Sequence, residues 1–216
     1  MIIGLHKEKR VTKQQQQQEV QLVTSIIKAV KCGVYNPMYY PNGNKTLELK
    51  KVKIGKSKIN VFVMYFENGN VNTTAEIKKD RMHGKYTEYR DDGTLYKTQF
   101  YRNSICHGLS TVYHPNGKIK STRPYVNEEL SGDFKEYNAE GKLFETTQYK
   151  NGLKHGKRFV KNETPGEHYI QHYIDGKLHG KTIIYCSCGV PLVVIVYENN
   201  LEISRYDTEH NKTPEQ

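Results

Sequence analysis

The sequence has no tryptophan, seven arginines, four cysteines and no apolar run near the ~18 residues that cross a bilayer as a helix. Apolar residues make up 36% and mean hydropathy is -0.79, too little for a thick two-layer core around a buried catalytic cleft. Met1 to Leu5 is apolar but is followed at once by His6, Lys7, Glu8, Lys9 and Arg10, so the long apolar stretch of a secretory signal is missing. An intracellular, cytoplasmic protein is expected. Cys32, Cys106, Cys186 and Cys188 are scattered, and the last two are closer together than zinc ligands usually stand. Reduced thiols and no metal or other cofactor are expected.

What the chain does have is lysine. The net charge is +10, and most of it lies in residues 1–80, where 14 basic side chains face 6 acidic ones. Lys50, Lys51, Lys53, Lys56 and Lys58 are the densest group, alternating with Leu49, Val52, Ile54 and Ile59. Such a cluster suits phosphate on nucleic acid or lipid headgroups, or simply makes a solvated face on a sheet.

It also has a period. His-Gly recurs as His83-Gly84, His107-Gly108, His155-Gly156 and His179-Gly180, Ser131-Gly132 fills the gap, and the glycines stand 24 residues apart. Tyr101, Tyr125, Tyr149, Tyr173 and Tyr197 keep the same step. So do Tyr65, Tyr89, Tyr113, Tyr137 and Tyr185, with Lys161 in the gap, and Gly69, Gly93, Gly117, Gly141 and Gly189, with Pro165 in the gap. Several columns in phase at one step define a repeat architecture.

The punctuation fixes what a unit looks like. About five residues run from His-Gly to a tyrosine and a turn such as Pro115-Asn116-Gly117, then about seven run to the next tyrosine and a turn such as Asn151-Gly152 or Asp175-Gly176. Asn-Gly and Asp-Gly supply the positive φ of hairpin turns, and Thr, Tyr, Phe, Val and Ile fill the intervals. The expected fold is all-β: an elongated single-layer antiparallel meander of 24-residue hairpins, with tyrosine ladders in place of a conventional core. About seven units, or roughly 14 strands at about 4.8 Å each, give roughly 65 Å.

Three segments follow from this: residues 1–34 as an N-terminal low-complexity and helical cap, 35–207 as the repeat array, and 208–216 as a disordered tail. Gln14 to Gln18 precede Val20, Val23, Ile26, Ile27 and Val30 at helical spacing. A short amphipathic helix capping the first hairpin is expected, with Met1 to Lys13 loose; a membrane-surface helix bearing Lys28 and Lys31 is the alternative. Tyr40-Pro41-Asn42-Gly43 reads as one further turn, whose unit carries a small insertion containing the lysines.

With His-Gly, Tyr, Asn-Gly and Tyr in fixed phase, the chain resembles the MORN repeats, specifically the variant seen in bacterial antitoxin-component-like proteins and large DNA viruses. The stretches from His107 to Lys120 and from Tyr149 to Gly156 carry the likeness. The resemblance implies an interaction platform, associated with protein partners, with self-association and in some members with acidic phospholipids. The 26 lysines against 7 arginines, with 16 asparagines, fit an AT-rich coding genome, viral or microbial.

The repeat histidines His83, His107, His155 and His179 would lie roughly 10 Å apart in adjacent units, too far to share an ion, so a turn-closing role is expected. His168 and His172 would share a strand face about 14 Å apart and stay solvated. No nucleophile elbow or Gly-rich phosphate loop is present. The expectation is therefore a non-catalytic scaffold binding a protein partner through exposed tyrosines or sheet edges, with self-association through terminal strands and no nucleic acid. A peripheral membrane adaptor contacting acidic lipid through lysines 50 to 58, and an antitoxin-like immunity protein, are the alternatives.

Overall fold

A computed structural model describes residues 13–31, 39–54, 57–162 and 166–208. Apart from α1 (Lys13–Lys31), its regular elements are strands. In chain order these are β1 (Leu47–Ile54), β2 (Ser57–Tyr65), β3 (Val71–Lys78), β4 (Arg81–Tyr89), β5 (Leu95–Arg102), β6 (Ile105–Cys106), β7 (Gly108–Tyr113), β8 (Ile119–Val126) and β9 (Glu129–Leu130). They continue with β10 (Gly132–Tyr137), β11 (Leu143–Lys150), β12 (Leu153–Lys161), β13 (His168–Ile174), β14 (Lys177–Leu178), β15 (Gly180–Tyr185), β16 (Pro191–Glu198) and β17 (Leu201–Asp207). β6, β9 and β14 are two-residue leads into the strands that follow them, so the segments amount to fourteen strands in seven hairpins. Pairing is antiparallel between sequence neighbours, which is a meander.

The chain divides into two compact units. One holds the residues to Gly93 with Phe100–Ile105, the other Thr94–Gln99 with Cys106 onward.

In the first unit Phe62, Ala75 and Tyr86 stand opposite one another on successive strands, and with Val63, Ile77, Met82 and Tyr101 they form its buried core. Tyr86 meets Tyr101 edge to face at 5.7 Å, a geometry the ring quadrupoles favour. Val23 and Ile27, one turn apart on α1, are buried, and the main contact of the helix is with β4. The helix thus lies over the second hairpin instead of capping the first. Of its apolar positions Val23 and Ile27 are turned into the unit, while Val20 and Ile26 are half-buried. It begins at Lys13 and takes in the glutamine tract; the rest of Met1 to Lys13 and the side chain of Val30 lie outside the described residues.

The second unit is a polar sheet. Gln99, Ser110, Ser121, Thr111, Thr147 and Thr182 are buried alongside Val112 and Ile195. Small hydroxyl side chains fill its mid-strand rows where a sandwich would place leucine.

Both margins are made of repeated turns. At one, two-residue turns take positive φ at both positions: Asn103-Ser104, Asn127-Glu128, Asn151-Gly152, Asp175-Gly176 and Asn199-Asn200. Two consecutive left-handed residues are the requirement of a type I′ hairpin turn. The amide of the second turn residue then donates to the preceding hairpin, as Gly152 to Leu130 O at 2.9 Å and Gly176 to Lys154 O at 2.8 Å.

At the other margin, four-residue loops close on a glycine, as Gly117 N to His114 O at 2.9 Å. Their side chains reach the next loop: Asn42 Nδ2 to Glu67 O at 2.7 Å, Asn68 Nδ2 to Asp91 O at 2.8 Å, and Asn116 Nδ2 to Ala139 O at 2.7 Å. These bonds tie neighbouring units along the array.

Three boundaries differ from the sequence reading. In the irregular unit the positive φ is at Gly166, one residue past Pro165, which lies outside the described residues. Asn162 N donates to Glu167 O at 2.8 Å, so that loop is one residue longer and the bulge of the other units disappears. The two added residues of the first unit lengthen β1, which pairs with β2 from Leu47↔Met64 to Ile54↔Ser57 with no bulge. Asp207 ends β17 and Thr208 N donates to Leu192 O at 2.8 Å, so order extends past the expected start of the tail; residues 209–216 lie outside the described ones.

Candidate interaction surfaces

The His-Gly column is a bulge, and the register shows why it needs glycine. Thr147 pairs with Arg158 and Tyr149 with Lys154, so His155, Gly156 and Lys157 together oppose Gln148. Gly156 has φ +95°, and a Cβ there would run into Gln148 Oε1, which accepts from Lys157 N at 2.9 Å. Glu76 does the same over Gly84, accepting from Lys85 N at 3.1 Å. On its other side each glycine faces a tyrosine: Gly108↔Tyr125, Gly132↔Tyr149, Gly156↔Tyr173 and Gly180↔Tyr197. The two columns are therefore cross-strand partners.

That accounts for the tyrosines and corrects one expectation. Tyr101 is buried, and Tyr125, Tyr149, Tyr173 and Tyr197, like Tyr65, Tyr89, Tyr113, Tyr137 and Tyr185, are half-buried. They are internal parts of the sheet and not an exposed ladder. Tyr65, Tyr113, Tyr137 and Tyr185 stand at the second bulge, opposite Val71, Ile119, Leu143 and Pro191.

The histidines divide. His83 Nδ1 bonds Asn103 Oδ1 at 3.2 Å, and His155 Nδ1 bonds Asp175 Oδ1 at 3.2 Å, each reaching the next hairpin turn. His107 Nδ1 is buried with no partner among the described residues. His179 bonds through its backbone, donating to His172 O at 3.0 Å. His168 is half-buried and not solvated, stacked on Tyr185 at 4.4 Å, while His172 is exposed with Nδ1 2.9 Å from Lys181 O.

The lysine cluster resolves into two parts. Lys50 Nζ lies 2.6 Å from Glu48 Oε1 and donates to Tyr65 Oη at 2.9 Å. Partial burial acts to raise the Glu48 carboxyl, but hydrogen bonds from Lys50, Tyr65 and Lys45 prevail and hold it at about 2. The Glu48 hydrogen bond likewise holds Lys50 well above the usual lysine range. Lys50 is therefore committed within the sheet, beside an open depression of about 470 Å³ bordered by Asn44, Lys45, Glu48, Tyr65 and Gly69. Lys51, Lys53 and Lys58 are exposed, with Lys53 directly opposite Lys58. Lys56 lies outside the described residues.

Sequence reasoning missed an ionic cluster on one face of the second unit. Arg158 donates through Nε to Glu145 Oε1 at 2.9 Å, through Nη2 to Glu145 Oε2 at 3.1 Å, and through Nη1 to Tyr169 Oη and Gln171 Oε1 at 3.0 and 2.9 Å. Burial opposes the charge of Glu145, yet the Arg158 fork prevails and holds its carboxyl below the usual range. Burial also raises the Tyr173 phenol. No periodicity flags this group, because Arg158 and Glu145 occupy columns that hold Ser110 and Ser121 one or two units earlier.

The second omission is at the loop margin. Cys186 and Cys188 are joined as a disulfide, where reduced thiols were expected.

At the end of the second unit β17 pairs, among the described residues, with β16 alone. It carries Leu201, Ile203 and Tyr206 at 67%, 54% and 52% exposure.

The polar groups described here act chiefly on the backbone and side chains of neighbouring hairpins, which defines the class: a β-hairpin repeat protein. Residues 82–103, 107–127 and 130–151 match the MORN repeat variant, three consecutive units. MORN repeats are in general non-catalytic scaffold and binding modules. Among curated proteins none matches the chain. Among the described residues no helix is long and apolar enough to cross a membrane.

Proposed function

We propose that the chain is a non-catalytic scaffold that takes an extended segment of a protein partner as an added strand. The observation that carries this is strand β17, paired on one side among the described residues and bearing exposed Leu201, Ile203 and Tyr206. An unpaired edge supplies a row of backbone donors and acceptors, and alternate side chains supply selectivity. The test is an affinity pull-down of the tagged full chain against a variant carrying Leu201→Glu, Ile203→Lys and Tyr206→Glu. A stoichiometric protein lost from the variant supports the reading, and a toxin as that protein makes it an immunity function. Equal recovery from both chains overturns it, and recovery of the chain itself alone makes the edge a self-association surface.

A second reading rests on Lys53 and Lys58. Like charges directly opposite each other on paired strands repel, and an anionic surface against Lys51, Lys53 and Lys58 relieves that repulsion. Binding to anionic vesicles that falls in high salt and with Lys51→Glu, Lys53→Glu and Lys58→Glu supports a peripheral membrane adaptor. No binding to such vesicles ends it.

A further inference from the structure

Cys186 and Cys188 occupy the first and third positions of the loop between β15 and β16, which closes on Gly189 N to Cys186 O at 3.0 Å. In the loop three units earlier these positions are His114 and Asn116, and both reach forward to the next loop, His114 Nε2 to Tyr137 O at 2.9 Å and Asn116 Nδ2 to Ala139 O at 2.7 Å. In the loop at 186–189 the two sulfurs bond to each other instead.

A disulfide closed over one residue removes little entropy from the unfolded chain, so stabilisation is a poor account of it. Its surroundings suit chemistry. Cys188 is exposed while Cys186 is half-buried, so an incoming thiolate has better access to the Cys188 sulfur. Cys186 Sγ accepts a hydrogen bond from Val190 N at 3.4 Å, a donor that steadies a departing thiolate. The loop is also packed against its neighbour, since a Cβ on Gly166 would meet the Ser187 backbone oxygen at 2.5 Å. Cys106 is the contrast: it is buried and bonded by Gln99 Nε2, and burial pushes its thiol up to about 11, which leaves it unreactive near neutral pH.

We propose that Cys186 and Cys188 form a thiol–disulfide exchange site whose co-reactant is a dithiol. One thiolate of the dithiol attacks Cys188 Sγ, the bond between the two cysteines breaks, and Cys186 leaves as a thiolate that then takes a proton. The second thiolate of the co-reactant attacks its own sulfur in the mixed disulfide and releases Cys188. The loop gains two electrons and two protons, and the dithiol becomes a disulfide. The reverse sequence reoxidises the loop.

The test uses the folded full chain. It is exposed to dithiothreitol, to reduced and oxidised glutathione, and to a protein dithiol of the thioredoxin class. Samples are acid-quenched and alkylated, and the peptide spanning both cysteines is weighed. The expected result is a pair that oxidised glutathione closes and dithiothreitol opens without unfolding the chain, with circular dichroism as the check on fold. Cys186→Ser, which leaves the exposed sulfur, should form a mixed disulfide with oxidised glutathione about tenfold faster than Cys188→Ser does. Reduction by the protein dithiol at concentrations where glutathione is slow assigns the site to a protein co-reactant, and equal efficiency assigns it to small thiols. A pair that stays fully alkylatable in oxidised glutathione overturns the proposal. So does a disulfide that opens only when the chain unfolds, or equal rates for the two variants.

Discussion

A single glycine shows how much of this fold rests on positions without side chains. Gly117 and Gly156 both have positive φ, but a Cβ on Gly117 meets nothing within 4 Å, whereas one on Gly156 runs into the Gln148 carboxamide. Gly117→Ala is expected to cost about 1 kcal/mol from backbone conformation alone. Gly156→Ala is expected to cost roughly 2–3 kcal/mol, because it also displaces Gln148 from the Lys157 amide. Denaturant midpoints of the two variants, compared at equal m-value, check the order. Glu48 gives a second prediction at this scale. Its folded value of about 2 lies below the ordinary 4.5, so the stabilisation is present above pH 4.5 and is lost as pH falls toward 2. Glu48→Gln should flatten thermal stability across that window. The amplitude should be small, since Lys50 is half exposed and water screens the pair. A variant as acid-sensitive as the parent across the same window would assign the loss to other carboxylates.

Between the strands, the Arg158 cluster is the place where an element depends on charge. Arg158→Met leaves Glu145 half-buried without its fork and should destabilise the second unit by about 3 kcal/mol. Adding Glu145→Leu should restore most of that loss, because a pair of apolar residues carries no desolvation cost; chemical denaturation of the four chains of the cycle measures the coupling. This cluster also marks the limit of what the chain discloses on reading. Tyrosine and glycine columns were legible because the bulge and both turns recur in every regular unit, and turn chemistry is written in residues with few substitutes. The number of hairpins followed from the same columns. Arg158 and Glu145 belong to one unit only, so no period exposes them. That Tyr125, Tyr149, Tyr173 and Tyr197 face the bulge glycines is hidden for a different reason: two columns with the same step reveal their spacing but not the register that pairs them. The disulfide escapes the sequence because two thiols and one intervening residue say nothing of the loop that sets the two sulfurs within bonding reach.

For the whole molecule the period has a thermodynamic consequence. Because the hairpins described here bond to their sequence neighbours, removal of one full period keeps every column in phase. Deletion of residues 107–130 should leave a folded chain with a lower m-value, since less surface is exposed on unfolding. Deletion of residues 107–118 alone should fail to fold, because it joins one margin to the other. Circular dichroism with urea titration distinguishes the outcomes. The connection of every strand to its predecessor also governs the response to mechanical load. A pull on two residues at opposite ends of the second unit draws each hairpin apart from its open end, so its ladder bonds break one after another and never all together in shear. In an optical trap such a chain extends at a low, nearly level force, in small reversible steps of about one hairpin each, and behaves as a soft spring where a sheet loaded in parallel would be a brittle clamp.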